Sequence, residues 1–278
     1  MKELFKVSSI RSSKVVTNTY STSFSLGIKM LDTSIHDAIY AIYGFVRLAD
    51  EIVDTFHDQD KKQLLKEFVQ ETELAIERSF SLNPVLHSFQ WVVHKYSIEK
   101  ELIDAFIKSM EFDLLKKEYS REEFDEYVYG SAEVVGLMCL RVFCFKNPNQ
   151  YDELKEPAKR LGAAFQKINF LRDLKADYED KGRSYFPKVE LDHFCDEKKK
   201  QIEKEIEADF KAGFDGIKKL PMNARFGVYT AYIYYYALHK KIKTVEAKRV
   251  LQERIRIPNR IKYLLLCKSY LRFKLGMI

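Results

Sequence analysis

Helix breakers are scarce in this chain. Its 278 residues include only 10 glycines and 6 prolines, below the roughly 7% and 5% of an average protein. With abundant Lys, Glu, Leu and Ala, that scarcity argues for long helices. Cysteine is sparse too: Cys139, Cys144, Cys195 and Cys267 show no Cys-x-x-Cys spacing, and six scattered histidines add no zinc pattern. A disulfide framework and a structural zinc site are therefore disfavoured, and a reduced, cytoplasmic setting is expected. The opening Met1-Lys2-Glu3-Leu4-Phe5-Lys6 lacks the apolar stretch of a signal peptide. The most apolar run, Phe226 to Leu238, has 13 residues, short of the ~20 that a membrane span needs. Flexible linkers, low-complexity runs and repeats are missing as well, so one helical domain over 1–278 is the expectation, with length enough to bury a substantial core.

Aromatic residues, by contrast, are plentiful: 17 Tyr and 20 Phe point to a thick apolar interior or a greasy ligand pocket. The net charge of +6 is unevenly spread, with twelve Lys or Arg between Lys240 and Lys274 against only Glu246 and Glu253. No nucleic-acid-binding motif accompanies this charge, so a nucleic-acid partner is not expected. It fits a solvated basic helix, a wall facing an anionic substrate, or peripheral contact with anionic lipid.

Local signals divide the chain into helices. Ser34 predicts a capped helix through Phe56, and Asn83-Pro84 one to about Tyr96. Ser97 is read as the start of a helix to about Tyr119. Ser120 with Glu123 forms a capping-box pattern for the next, which carries Tyr127 through Phe145. After Asn147-Pro148, a helix from about Tyr151 to Asp180 stops at Lys181-Gly182-Arg183. Lys198 to Asp209 reads as a charged surface helix, and Arg225 to Lys240 as an aromatic one.

Two acidic clusters carry the chemistry. Tyr43, Arg47, Asp50 and Asp54 fall within an arc of about 60° on one helix. Gln166, Asn169, Asp173 and Asp177 fall within about 80° on another. A single such stripe is ordinarily a solvated face. Two that close on one cavity repel each other and call for cations, and Mg²⁺ ions typically bridge a few carboxylates to substrate phosphates. A diphosphate bridged in this way becomes a good leaving group, and Arg47 and Arg172 supply forked donors for the same anion.

These residues resemble the squalene/phytoene synthases, most closely the bacterial phytoene synthases, along a stretch from about Tyr20 to Lys262. One motif stands as Tyr43-Gly-Phe-Val-Arg47-Leu-Ala-Asp50-Glu-Ile-Val-Asp54. The other is Gln166-Lys-Ile-Asn169-Phe-Leu-Arg172-Asp173-Leu-Lys-Ala-Asp177, followed by Gly182-Arg183 and Tyr185-Phe186-Pro187. Tyr127 to Met138 looks like the family's central helix, and Tyr20 to Ser25 like its N-terminal flap. The resemblance implies an all-α isoprenoid-synthase fold around a central cavity. It assigns Asp50 and Asp54 to one set of Mg²⁺ ions (Mn²⁺ being a possible substitute) and Asn169, Asp173 and Asp177 to the other. Arg47, Arg172, Ser21 and Ser23 would bind diphosphate; Phe24, Tyr43, Tyr127 and Gln166 would line the reacting centre. Tyr234 and Arg260 match late positions that contact diphosphate or close the site. Two departures stand out: Glu51 where many members have Asp, and Glu133 where the family usually has glycine.

The implied reaction condenses two geranylgeranyl diphosphates head to head through a cyclopropylcarbinyl diphosphate, giving phytoene. Farnesyl diphosphate, giving squalene or dehydrosqualene, is the alternative, with NADPH needed only for the reductive version. A non-catalytic assembly relative is the alternative from another class, disfavoured because both carboxylate pairs are intact. Ile28, Ile39, Tyr40, Ala132 and Gly136 are expected to floor the prenyl tunnel, with Tyr40 and Glu133 narrowing it. Oligomeric state is not legible.

Overall fold

A computed structural model describes residues 1–187 and 193–278, without the side chains of Thr22, Ser23, Asp180 and Lys181. The expected diphosphate contact of Ser23 therefore lies outside the described residues. Over the described residues the chain folds into α1 (Lys2–Tyr20), α2 (Thr22–Lys29), α3 (Thr33–Asp54), α4 (Lys61–Glu77), α5 (Pro84–Tyr96), α6 (Lys100–Leu115) and α7 (Arg121–Val128). A π-helical turn (Tyr129–Glu133) leads into α8 (Val134–Phe143), followed by α9 (Pro148–Lys181), α10 (Asp196–Ile217), α11 (Met222–Lys243), α12 (Ala247–Gln252) and α13 (Asn259–Lys274). No strand forms among the described residues; one isolated bridge pairs Glu118 with Ser184.

Side-chain caps open α2, α3, α4, α5, α7 and α9. The capping box at Ser120 and Glu123 forms as expected, and Asn83 accepts from Val85 N and Leu86 N ahead of Pro84. Two readings need correction. Asp32, rather than Ser34, opens α3: it is extended and its carboxylate accepts from Ser34 N at 2.9 Å, whereas Ser34 is already inside the helix. Ser97 closes α5 instead of opening α6. Its left-handed φ of 52° ends the helix, and Glu99 takes the extended position before Lys100.

The core forms where apolar faces meet. Phe45 of α3, fully buried, stacks on Phe89 of α5 at 3.8 Å and touches Phe68 and Phe106. Burying a ring of this size contributes about 1.5–3 kcal/mol. α9 has 34 residues, about 50 Å of helix, and packs against α8, the π-helical turn and α10. That approach requires Gly162, since a Cβ there would come within 2.8 Å of the Ala132 carbonyl oxygen.

α10 is not the surface helix its charge suggested. Lys199, Glu203, Ile206, Asp209, Phe210 and Gly213 are all buried on one face. Asp209 is neutralised there by Lys167 at 2.8 Å and Arg160 at 3.0 Å, and Lys199 pairs with Glu203 at 2.5 Å. Pairing of this kind is what lets charges enter a core. Among the described residues no helix is long and apolar enough to cross a membrane.

Candidate active site

α3 and α9 bring the two acidic clusters to one cavity of about 820 Å³. Arg47, Asp50 and Asp54 face it from α3, and Asn169, Arg172, Asp173 and Asp177 from α9. Further along α9 the wall turns apolar through Phe165, Gly162, Leu161, Ala158, Pro157 and Leu154. These lining residues recur at i, i+3, i+4, i+7 spacing, so one face of α9 carries both the charged mouth and the greasy floor. From Asn169 back to Leu154 that floor extends about 22 Å along the helix.

The acidic groups do not stand unpaired. Asp173 is held by Arg172 (Nε to Oδ1, 2.9 Å) and by Arg254 (Nε to Oδ1, 2.6 Å). Asp50 lies 3.5 Å from Arg47 Nη1, and Asp54 accepts from Arg183 Nη1 at 3.3 Å. Glu51 is buried, pairs with Arg47 and accepts from Thr55 Oγ1 at 2.6 Å. It braces Arg47 from inside the helix bundle and is not an exposed helix charge. Arg47 also lies over the Tyr20 ring, 4.6 Å from its centroid. Asp177 lines the cavity and is mostly buried.

Asp113 of α6 is a hub that sequence reasoning missed. Its carboxylate accepts from Tyr127 Oη at 2.8 Å, Tyr185 Oη at 3.0 Å and Arg183 Nη1 at 3.0 Å. Arg183 also donates to the Asp113 carbonyl at 2.6 Å. Gly182 makes this possible: with φ at 61° it ends α9, and Ser184 N then bonds Lys117 O at 2.8 Å. Burial pushes the Asp113 carboxyl up to about 6, against the pull of Arg183. Burial also raises the Tyr127 and Tyr43 phenols well above their usual range, so both stay protonated at neutral pH.

The remaining expected site residues sort clearly. Ser21 lines the cavity and caps α2 by accepting from Phe24 N at 3.3 Å. The Phe24 ring packs on Tyr43, Phe165 and Tyr235. Gln166 donates to Ser131 Oγ at 3.2 Å, and Ser131 bonds the Tyr127 carbonyl, which ties Gln166 to the π-helical turn. Buried Asn169 Oδ1 has no hydrogen-bond partner. Tyr234 lines the cavity with Lys262 Nζ 4.9 Å above its ring. Arg260 is exposed and outside the lining; Arg254, Arg256, Asn259 and Lys262 are the polar residues this segment contributes. Ile255 and Ile257 bury in the non-helical stretch before α13 and fix which flanking side chains face inward.

Neither Tyr40 nor Glu133 narrows the cavity, contrary to expectation: Tyr40 is buried in the core, and neither residue is in the lining. Glu133 is set by the π-helical turn near Lys159, Lys167 and Asp209 instead. Burial pushes its carboxyl from 4.5 up to about 7. Unfolded chains ionise this group at the lower value, so stability falls as pH rises through that window and stays reduced above it. Glu133→Gln should therefore stabilise the protein near pH 8 by roughly 1–2 kcal/mol, allowing for partial exposure, with little effect near pH 5. Thermal melts at both pH values check this; an identical shift at both would show that the carboxyl does not titrate there.

The family model described as Squalene/phytoene synthase matches residues 17–260. The chain belongs to this family. A 15-cis-phytoene synthase of Synechocystis sp. is 29% identical to it, over 92% of this chain and 83% of its own. A presqualene diphosphate synthase of Zymomonas mobilis is 30% identical over 68% of this chain, and a 4,4'-diapophytoene synthase of Staphylococcus haemolyticus 29% identical over 64%. These matches span 64% and 62% of those two relatives, less than two thirds of their length. A crystal structure of a dehydrosqualene synthase in complex with ligand shares the fold, with a TM-score of 0.81 at 21% identity over 97% of this chain and 98% of its own. A squalene synthase from Alicyclobacillus acidocaldarius superposes with a TM-score of 0.75 at 18% identity, over 85% of this chain and 94% of its own. The all-α isoprenoid-synthase fold expected from the sequence is the fold observed.

Within that fold, Asp113 and Arg254 are two polar cavity residues that the motifs did not reveal. Asp113 sits in Glu111-Phe112-Asp113-Leu114 with no acidic partner at helical spacing on its cavity side. The usable signal for Arg254 was the alternation Arg254-Ile255-Arg256-Ile257, which marks an extended segment with one face buried.

Proposed function

We propose that this chain joins two molecules of geranylgeranyl diphosphate head to head, releasing diphosphate and giving phytoene. The observation that carries the reading is one cavity with an acidic mouth, built from two distant helices, and a long apolar floor. Fit to divalent metal rests on the donor set. Asn169 offers an unpartnered buried oxygen beside Asp173 and Asp177, and Asp50 and Asp54 face them across the mouth. Among the described residues no group of three or more His, Cys, Asp or Glu is placed to hold an ion by itself, so an ion here would draw further ligands from substrate phosphates and water. Bound there, Mg²⁺ would neutralise the diphosphate and stabilise the charge that develops as the carbon–oxygen bond breaks.

The chain's own residues supply the rest. Arg47, Arg172 and Arg254 face the mouth with guanidinium groups suited to diphosphate oxygens. Their present carboxylate partners keep them oriented and are exchanged for substrate when it binds. Allylic cation would lie among Phe24, Tyr43, Phe165, Phe170 and Tyr235, whose ring faces attract positive charge and whose packing keeps water away. The Tyr127 hydroxyl, fixed by Asp113, presents a polar atom to the same cavity.

Arg254→Ala should lower affinity or turnover by about tenfold or more, the loss expected for a charge-assisted contact, while Arg260→Ala should behave like the surface control Lys268→Ala. Steady-state kinetics of diphosphate release decide it; equal, small effects from all three would remove Arg254 from the site.

The depth of the apolar floor favours the longer substrate, since three isoprene units do not need it. Gly136 is a poor position at which to test this, because a Cβ there meets the Ala158 carbonyl oxygen at 3.2 Å and a large side chain would part α8 from α9. Ala158, about 16 Å from Asn169 along α9, is the better one. In competition between geranylgeranyl and farnesyl diphosphates the wild type should prefer the former, and Ala158→Phe should slow it selectively. A wild-type preference for farnesyl diphosphate would establish the second reading, which the diapophytoene synthase relative favours.

A further inference from the structure

The π-helical turn Tyr129–Glu133 is clamped from two sides. A Cβ at Gly130 would come within 2.4 Å of the Ala105 carbonyl oxygen on α6. One at Gly162 of α9 would meet the Ala132 carbonyl oxygen at 2.8 Å and Glu133 Cα at 3.2 Å. Backbones this close leave the turn little room to shift, and π turns inside α-helices recur at functional sites. Between the two clamps stands Ser131, which lines the cavity.

A serine hydroxyl has one hydrogen to give. Ser131 gives it to the Tyr127 carbonyl at 2.7 Å, a bond to the preceding turn that helical serines often make. Toward Gln166 its oxygen can then only accept, so the 3.2 Å contact takes the amide nitrogen Nε2. That settles the planar carboxamide: Oε1 points away from Ser131, and among the described residues nothing donates to it. Gln166 stands three residues before Asn169 on α9, at the step from the acidic mouth to the apolar floor. In the reaction proposed above the carbon–oxygen bond breaks near this step, its electron pair leaves with diphosphate, and positive charge remains on the allylic carbons. A carbonyl dipole fixed beforehand in a largely apolar cavity stabilises such charge without reorganising. We propose that Ser131 is a positioning residue that holds Gln166 with Oε1 toward the developing allylic cation.

This role for Ser131 rests on the allylic-diphosphate reading above, and its test keeps the two apart by measuring binding as well as turnover. Calorimetry of the full chain with Mg²⁺ compares two unreactive ligands. One is a thiolo diphosphate, whose carbon–sulfur bond stays intact; the other is a trialkylammonium ion of the same tail, added with inorganic diphosphate. Each is used with a geranylgeranyl and with a farnesyl tail, so chain length does not decide the result. Ser131→Ala should weaken the ammonium ion about tenfold, near the upper weight of one hydrogen bond, and leave the thiolo diphosphate within about twofold. Ser131→Thr keeps the hydroxyl and should bind both ligands as wild type does. In steady-state kinetics Ser131→Ala should lower kcat about tenfold with KM nearly unchanged, and Ser131→Thr should recover most of it. A Ser131→Ala protein that weakens both ligands alike or neither, or a Ser131→Thr protein that behaves like Ser131→Ala, overturns the positioning role and leaves the reaction standing. Wild type that binds neither ligand overturns both.

Discussion

Asp50→Ala should lower diphosphate release by about a thousandfold or more while the melting temperature stays within a few degrees of wild type. The size follows from what the side chain would do: a carboxylate that helps neutralise a departing diphosphate contributes several kcal/mol only as charge develops, and each 1.36 kcal/mol is a factor of ten in rate. The small stability cost follows from its surroundings. The Asp50 side chain is about 36% exposed, and its ion pair with Arg47 at 3.5 Å is partly solvated; such pairs are worth little. Arg47 keeps Glu51 as a buried partner after the substitution. Asp173→Asn should cost similar activity from the opposite helix, since it weakens the anchor shared by Arg172 and Arg254 as well as the acidic mouth. Full turnover by either variant, or turnover undiminished in excess EDTA, would sink the metal-dependent reading.

Asp113→Ala should be the most destabilising single change near the cavity, by about 3–5 kcal/mol. That is the range for stripping one partner from a buried charge pair. Arg183 would lose its closest carboxylate, and Tyr127 and Tyr185 would each lose an acceptor inside the protein. At about 2–4 °C per kcal/mol for a chain of this size, the melting temperature should fall by roughly ten degrees. Asp113→Asn keeps the shape and one acceptor oxygen, so it should recover much of the stability. Its turnover should nonetheless stay low, because Tyr127 and the Arg183–Asp54 contact depend on the carboxylate. An Asp113→Ala protein that melts within two degrees or so of wild type would show that the hub does not hold the site together.

Much of the cavity's acidic face was legible because helices write it locally. Asp50 and Asp54, and Asn169, Asp173 and Asp177, share faces by spacing alone, and the helices that bear them have local start and stop signals. The buried face of α10 was not legible, because Lys199, Glu203 and Asp209 read as solvent-facing until Lys167 and Arg160 arrive from α9. Glu51 likewise reads as an exposed flanking charge until its burial against Arg47 is seen.

The sequence by itself determined the helical class, the family and the two acidic motifs, since each is encoded in residues within a few turns of one another. Tertiary structure decided which distant groups meet. It brought Arg254 rather than Arg260 to the cavity, made Asp113 the partner of Tyr127 and Arg183, and kept Glu133 and Tyr40 out of the lining. The reason is physical. Whether a charge points into a cavity, a core or water depends on which apolar neighbours bury first, as Ile255 and Ile257 do beside Arg254. Those burials follow from the packing of α9 against its neighbours and of the C-terminal segment over it, which periodicity along one helix does not encode.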